Sequence, residues 1–173
     1  MSNTILVAYA TRYGSTREVA EKIADTLRAS GFEIDIQPAK NVGSLGKYRA
    51  VVLGSPLYIG SWHNETKQFL SKHQADLNNL PTAVFALGPL HNEEKELQGA
   101  HEQLDKELAK FPWFKPAALQ VFGGKYDPAK LHFPDKIIAR LPASPLHQAP
   151  ENDARDWEKI EGWAENLSRL FRQ

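Results

Sequence analysis

Apolar residues fall into two alternating patterns along this chain. Short continuous runs occur at Ile5–Tyr9 (ILVAY), Ala50–Ser55 (AVVLGS), Thr82–Gly88 (TAVFALG) and Ala118–Gly124 (ALQVFGG). Runs of this length, bounded by glycine, serine or proline, fit strands covered on both faces. A fifth segment, Phe32–Gln37 (FEIDIQ), alternates apolar with polar and fits a strand nearer an edge. Between the strands the apolar spacing changes to three and four residues. Val19, Ile23 and Leu27 predict a helix stopped by Gly31, with Ser15 and Glu18 reading as a capping box at its start. Asn64–His73 presents Phe69 and Leu70, and Leu97, His101, Leu104, Leu108 and Phe111 share one helical face. A last helix from about Asp153 is expected to bury Trp157, Ile160, Trp163, Leu167 and Leu170.

Strands alternating with helices predict an α/β fold in which a parallel sheet is covered on both sides. Five strands suit a doubly wound three-layer sandwich of strand order 2-1-3-4-5, a flavodoxin-like arrangement, better than an eight-stranded barrel. One domain over 1–173 is expected, with a long insertion at about 125–151 that holds five of the eleven prolines. Long segments of this kind in a compact domain are usually functional or disordered.

Composition narrows the chemistry. Lys+Arg and Asp+Glu balance at 21 each, so nucleic acid is not an expected partner. Cysteine is absent, which removes disulfides, thiolate nucleophiles, iron–sulfur ligation and cysteine-based zinc sites. No metal site is expected. The N-terminal apolar run is too short for a secretory signal, and no stretch reaches a membrane span, so a cytoplasmic protein is expected.

In an open parallel sheet, ligands bind beyond the carboxyl ends of the strands, where the strand order reverses. Three loops can meet there. The first, TRYGST, offers hydroxyls at Thr11, Ser15 and Thr16, with Arg12, Tyr13 and Gly14 between them, at a helix start. Free backbone N–H groups and the helix dipole make such a loop a phosphate site; read alone, it is equally a simple helix cap. Neither G-x-G-x-x-G nor G-x-x-x-x-G-K-[ST] occurs, which disfavours dinucleotides and nucleoside triphosphates. No G-x-S-x-G elbow is present either. The second loop, SPLYIGSWH, sets Tyr58 and Trp62 around Gly60, either to cover a flat ring system or as rim packing; His63 reads first as a helix N-terminal residue. The third begins GPLHNEE, where Gly88, Pro89 and Leu90 offer backbone groups beside His91. Gly124 and Tyr126 follow the fifth strand on the same side.

The segments ILVAYATRYGSTREVAEKIADTL, VVLGSPLYIGSWH and DWEKIEGWAENL resemble the flavodoxin superfamily. They are most similar to its branch containing menaquinone-dependent protoporphyrinogen dehydrogenase. The resemblance implies FMN as cofactor, with Thr11–Thr16 holding its phosphate. It also implies that Pro56, Leu57, Tyr58, Ile59, Gly60 and Trp62 flank the isoalloxazine, and that Gly88–His91 closes the far side. At position 13 the family commonly carries Thr or Asp, whereas this chain has Tyr13.

Electron-carrying flavodoxins look strongly acidic; a neutral chain fits an enzyme better than a diffusing carrier. An FMN-dependent oxidoreductase working between a small organic donor and a quinone-like acceptor, with a porphyrinogen as one candidate substrate, is therefore the leading expectation. A flavodoxin-type carrier serving a protein redox partner is the alternative, and a flavin-free binding module the third. No catalytic acid or base is assigned. In the insertion, Leu131, Phe133, Ile137, Ile138 and Leu141 with Lys130, Lys136 and Arg140 predict a short basic amphipathic helix. It would cover the flavin, receive an apolar substrate, make a peripheral membrane contact through 130–141, or pack on the sheet edge.

Overall fold

Three of the four continuous apolar runs become inner strands of one sheet, and the fourth, Ala118–Gly124, forms its far edge. The computed structural model describes residues 2–58 and 60–173. Strand β1 (Thr4–Tyr9) is buried from Ile5 onward, and β5 (Thr82–Leu87) is buried throughout. The alternating segment forms β2 (Glu33–Pro38), which has no fully buried residue, as an edge strand should. With β3 (Ala50–Tyr58) and β6 (Ala118–Phe122), the five parallel strands lie in the order β2-β1-β3-β5-β6, the doubly wound order expected from the sequence. The registers are continuous, with Ile5 opposite Ile34 and Ala50, and Val51 opposite Thr82.

Because side chains alternate across a strand, β1 feeds two cores. Ile5, Val7 and Tyr9 pack under α1 (Ser15–Ala29) and α6 (Trp157–Leu170), joined by Ile23, Leu27, Ile160 and Leu167. Leu6 and Ala8 face the other layer, with Leu45, Phe69, Leu70 and Leu104. That second layer holds α2 (Asn64–Lys72), α3 (Gln74–Leu77) and α4 (Glu94–Leu108).

Three local expectations are corrected. Ser15 and Glu18 do not form a capping box. The residue ahead of α1 is Gly14 at φ 92°, no side chain caps the helix, and Glu18 turns instead to Arg155. Strand β3 runs past Ser55 to Tyr58, because the two-residue strand β4 (Ser61–Trp62) folds back on it antiparallel. Trp157 is 39% exposed, its ring lying 4.7 Å under the Arg155 guanidinium rather than in the core. The insertion also differs in shape from a single helix. A ribbon of β7 (Lys125–Tyr126) and β8 (Asn152–Asp153) closes its base, and within it only α5 (Asp135–Ile138) and a 3-10 turn at Pro128–Lys130 are helical.

Candidate functional site

The strand order reverses between β1 and β3, so the loops after these strands flank a crevice at the carboxyl edge of the sheet. A cavity of about 550 Å³ opens there, within the roughly 300–1,000 Å³ typical of small-molecule clefts. All three expected loops reach it: Arg12, Tyr13 and Ser15 from the first, Pro56, Leu57 and Tyr58 from the second, Gly88 and Leu90 from the third. Gly124 and Tyr126 also line it.

The first loop is shaped by its own hydroxyl. Thr11 Oγ1 accepts the Gly14 N–H at 2.9 Å, and Gly14 takes the left-handed conformation that lets the chain turn straight into α1. The first intrahelical bond runs from Glu18 N–H to Gly14 C=O, so the N–H groups of Ser15, Thr16 and Arg17 fall among those that a helix start cannot satisfy internally. Thr16 is fully buried and, like Thr11 and Gly14, lies behind the residues that line the cavity; its Oγ1 has no hydrogen-bond partner among the described residues. An orphaned buried hydroxyl in the first turn of a helix that no side chain caps fits the oxygens of a phosphate monoester. On this observation the loop suits the phosphate of FMN.

Two charged knots brace the loop. Arg155 is buried and donates to Glu18 at 2.5 Å, to Asp153 at 2.8 and 2.7 Å and to the Ser15 carbonyl at 3.4 Å. Burial alone would lower its pKa, but the Asp153 and Glu18 carboxylates raise it, so it stays charged. The second knot is Asp135, brought in by the insertion and 3% exposed. It accepts from Arg12 Nε at 2.5 Å and from the Tyr13 hydroxyl. Burial pushes its pKa up, but hydrogen bonds from Tyr13 and Arg12, with the Tyr58 hydroxyl adding to them, bring the net shift below the usual carboxylate range. Tyr58 lies with its ring 4.7 Å under the Arg12 guanidinium. Burial first, and the neighbouring Asp135 second, raise its pKa, which keeps it a neutral phenol.

The remaining expected residues are placed as follows. Trp62 is 2% exposed, packed against Phe111 at 6.5 Å between ring centres and away from the cavity. Trp62 pairs with Leu57 and joins it in the core that Phe69, Leu70 and Leu104 share, while Tyr58 pairs with Ser61 on the other face. Gly60 sits at the exposed turn at φ 71°; Ile59 lies outside the described residues. His63 caps α2 by accepting the Glu65 N–H at Nδ1. Pro89 is buried and its carbonyl takes the Gly124 N–H at 2.7 Å, which ties the third loop to the end of β6. His91 is exposed and turned to Glu96 at 3.0 Å, outside the cavity lining.

Residues not singled out as cofactor contacts from the sequence complete the enclosure. Leu131, Ile138, Leu141 and Leu146 of the insertion form an apolar wall, with Lys125 and Lys130 beside it. The amphipathic pattern around Leu131–Leu141 signalled the wall; a contact between Asp135 and Arg12, 123 positions apart, leaves no local signal.

An open parallel sheet with its cavity at the switch point places the chain among doubly wound α/β proteins that bind ligands at the carboxyl edge. Residues 6–153 match the family described as flavodoxin domain, and the chain belongs to that family. FMN is the cofactor of this family. The chain is 24% identical over 172 residues to the protoporphyrinogen IX dehydrogenase [quinone] of Escherichia coli (strain K12), covering 95% of this chain and 94% of that one. It is similar to a solved short-chain flavodoxin associated with a non-canonical PDU bacterial microcompartment, at TM-score 0.62 and 18% identity, with 99% of each chain covered. It also resembles the rubredoxin oxygen:oxidoreductase of Desulfovibrio gigas, at TM-score 0.60 and 16% identity. That match covers 99% of this chain but spans only 36% of the larger protein.

Proposed function

We propose that this chain is an FMN-dependent oxidoreductase that passes electrons between a small organic donor and a quinone-like acceptor, working in the cytoplasm. The observation that carries the proposal is the apolar wall. The 127–151 segment lines the cavity with leucine and isoleucine side chains beside the loop before α1, leaving a partly open apolar cleft in which a flat organic molecule would meet a flavin ring. FMN, when bound, supplies the redox chemistry. The protein's own contribution is holding and enclosing. Thr11, Ser15, Thr16 and the start of α1 would hold the phosphate, Tyr58 and the Gly88–Leu90 turn would border the ring, and the insertion would exclude water. Tyr58, kept as a neutral phenol, can donate a hydrogen bond at neutral pH.

The name of the Escherichia coli relative supplies substrate candidates, a porphyrinogen as donor and a quinone as acceptor. The net charge of +0 supports the enzyme reading, since nothing in the bulk charge would steer the protein to a basic partner. The full-length likeness to a flavodoxin favours the second reading, an electron carrier for a protein partner. Two measurements separate them. Purified protein is expected to take up FMN stoichiometrically in an absorbance titration, and to turn over quinones with a porphyrinogen or another small reductant. FMN uptake without any small-molecule turnover would leave the carrier; no uptake would end both.

An apolar acceptor resides in a bilayer, and the insertion offers a way to reach it. Among the described residues no helix is long and apolar enough to cross a membrane. Phe133, Ile137 and Leu141 are nonetheless 80%, 52% and 51% exposed, interleaved with Lys136 and Arg140. Peripheral contact through 130–141 is expected to appear as co-sedimentation with anionic vesicles that falls about tenfold in the Phe133→Ser, Ile137→Ser double variant. Equal sedimentation of both proteins would remove the membrane contact and leave the oxidoreductase standing.

A further inference from the structure

The 127–151 segment is attached to the fold at two distant points. At its base the β7–β8 ribbon pairs Lys125 with Asp153 and Tyr126 with Asn152. At its far side Asp135, the first residue of α5, is the only buried carboxylate of the segment among the described residues. Its two closest donors, Arg12 Nε and the Tyr13 hydroxyl, belong to the loop that precedes α1, and the Tyr58 hydroxyl at the end of β3 adds to them. The ring of His132 lies 5.7 Å from that of Tyr13, and the Tyr58 ring carries the Arg12 guanidinium from below. Between ribbon and carboxylate the segment spans the cavity, with Leu131 and Ile138 on its inner surface.

A buried carboxylate is costly unless a cation and hydrogen bonds compensate it, and removing either partner leaves the other's charge or dipole stranded. Asp135 therefore has one favourable position, against Arg12 and Tyr13. Holding it there keeps the segment down. The same geometry gives position 13 a physical reason for its tyrosine: a threonine or aspartate would not span the gap to α5, whereas the phenol reaches it.

We propose that Asp135 is a positioning residue that latches the 127–151 segment shut over the cavity through Arg12 and Tyr13. The latch itself follows from the contacts just described; its consequence for flavin rests on the FMN reading above. With FMN bound, the latched segment sets how fast the flavin leaves and how far solvent reaches it.

The test uses the full chain with Asp135→Asn and, from the other side of the pair, Arg12→Gln, whose partly exposed site puts folding at little risk. In flavin-free protein, amide exchange across 128–150 is expected to rise at least tenfold in each variant while exchange in β1, β3 and β5 stays unchanged. The double variant is expected to be no more open than Asp135→Asn alone, because the Arg12–Asp135 pair is lost in both while Arg12→Gln leaves only the Tyr13 and Tyr58 contacts to lose. In loaded protein, FMN and riboflavin should both dissociate about tenfold faster, and iodide should quench the bound flavin more strongly. Unchanged exchange across 128–150 overturns the latch, as does an opened segment with unaltered flavin release or additive effects of the two substitutions. If the wild-type chain takes up no flavin, the FMN reading fails and the exchange measurement alone decides the latch.

Discussion

The Thr16→Val protein is expected to fold at least as stably as the wild type and yet to bind FMN about 10- to 100-fold more weakly, with riboflavin binding unchanged. Valine copies the shape of threonine and differs little from it in helix propensity. In the flavin-free protein the substitution removes a fully buried hydroxyl that has no partner among the described residues, which relieves an unpaid desolvation rather than breaking a bond. In the FMN complex the same hydroxyl would donate to a phosphate oxygen, and a hydrogen bond to a charged group contributes about 1.5–3 kcal/mol. At roughly 1.4 kcal/mol per factor of ten, that is the stated loss of affinity. Opposite signs for stability and affinity are what separate a ligand-facing group from an ordinary core threonine. Parallel isothermal titrations with FMN and riboflavin, beside a thermal melt of the flavin-free protein, make the comparison. Equal weakening of both flavins would refute the phosphate assignment.

The second large effect is expected at the root of the insertion. Gly123→Ala should lower stability by about 3 kcal/mol, the upper end of the usual cost of overpacking. That corresponds to a fall in melting temperature of roughly 6–12 °C for a domain of this size. A methyl group at position 123 would lie on the carbonyl oxygen of Ala154 and 2.8 Å from Asn92 Oδ1. Neither can step aside freely. The Ala154 carbonyl accepts the Asn92 amide at 2.8 Å, and its N–H donates to the Gly124 carbonyl at 2.9 Å. The displaced groups belong to the return strand of the insertion and to the turn after β5, so the cavity should loosen together with the fold. Thermal melts and flavin release rates measure the two consequences. A melting temperature within 2 °C of the wild type would show that the ribbon shifts at little cost.

The large-scale architecture was legible because it rests on burial. Ile5–Tyr9 and Thr82–Leu87 are apolar almost without interruption since both faces of each strand are covered, and Glu33–Pro38 alternates because it is an edge. The loop proposed to hold the phosphate stands out in the sequence through its hydroxyls and its position before the first helix. What escaped depends on pairings too short for periodicity or too distant for local pattern. Two-residue strands such as Ser61–Trp62 and Lys125–Tyr126 have no period to read. Their absence from the expectation also misplaced Trp62, whose direction is decided by the hairpin register rather than by its distance from Tyr58. Ser15 and Glu18 have the spacing of a capping box, but Gly14 in the left-handed conformation occupies the cap position and the buried Arg155 draws Glu18 away. The grip of Asp135 on Arg12 and Tyr13 joins residues more than 120 positions apart.

The ribbon that closes the insertion has a consequence for how such a protein can change. Tyr126 and Asn152 sit side by side as cross-strand neighbours, so everything between them leaves and re-enters the fold at a single point. The entropy of closing a loop grows only slowly with its length, so as long as Asp135 keeps its contacts with Arg12 and Tyr13 the rest of the segment can be lengthened, shortened or rewritten at little thermodynamic cost to the sheet. The five-stranded scaffold and the loop before α1 are in this sense a fixed socket, and the 127–151 segment an exchangeable faceplate. Under the proposed function, selection acting on the faceplate alone would retune which organic molecule is admitted, while the proposed nucleotide seat stays as it is.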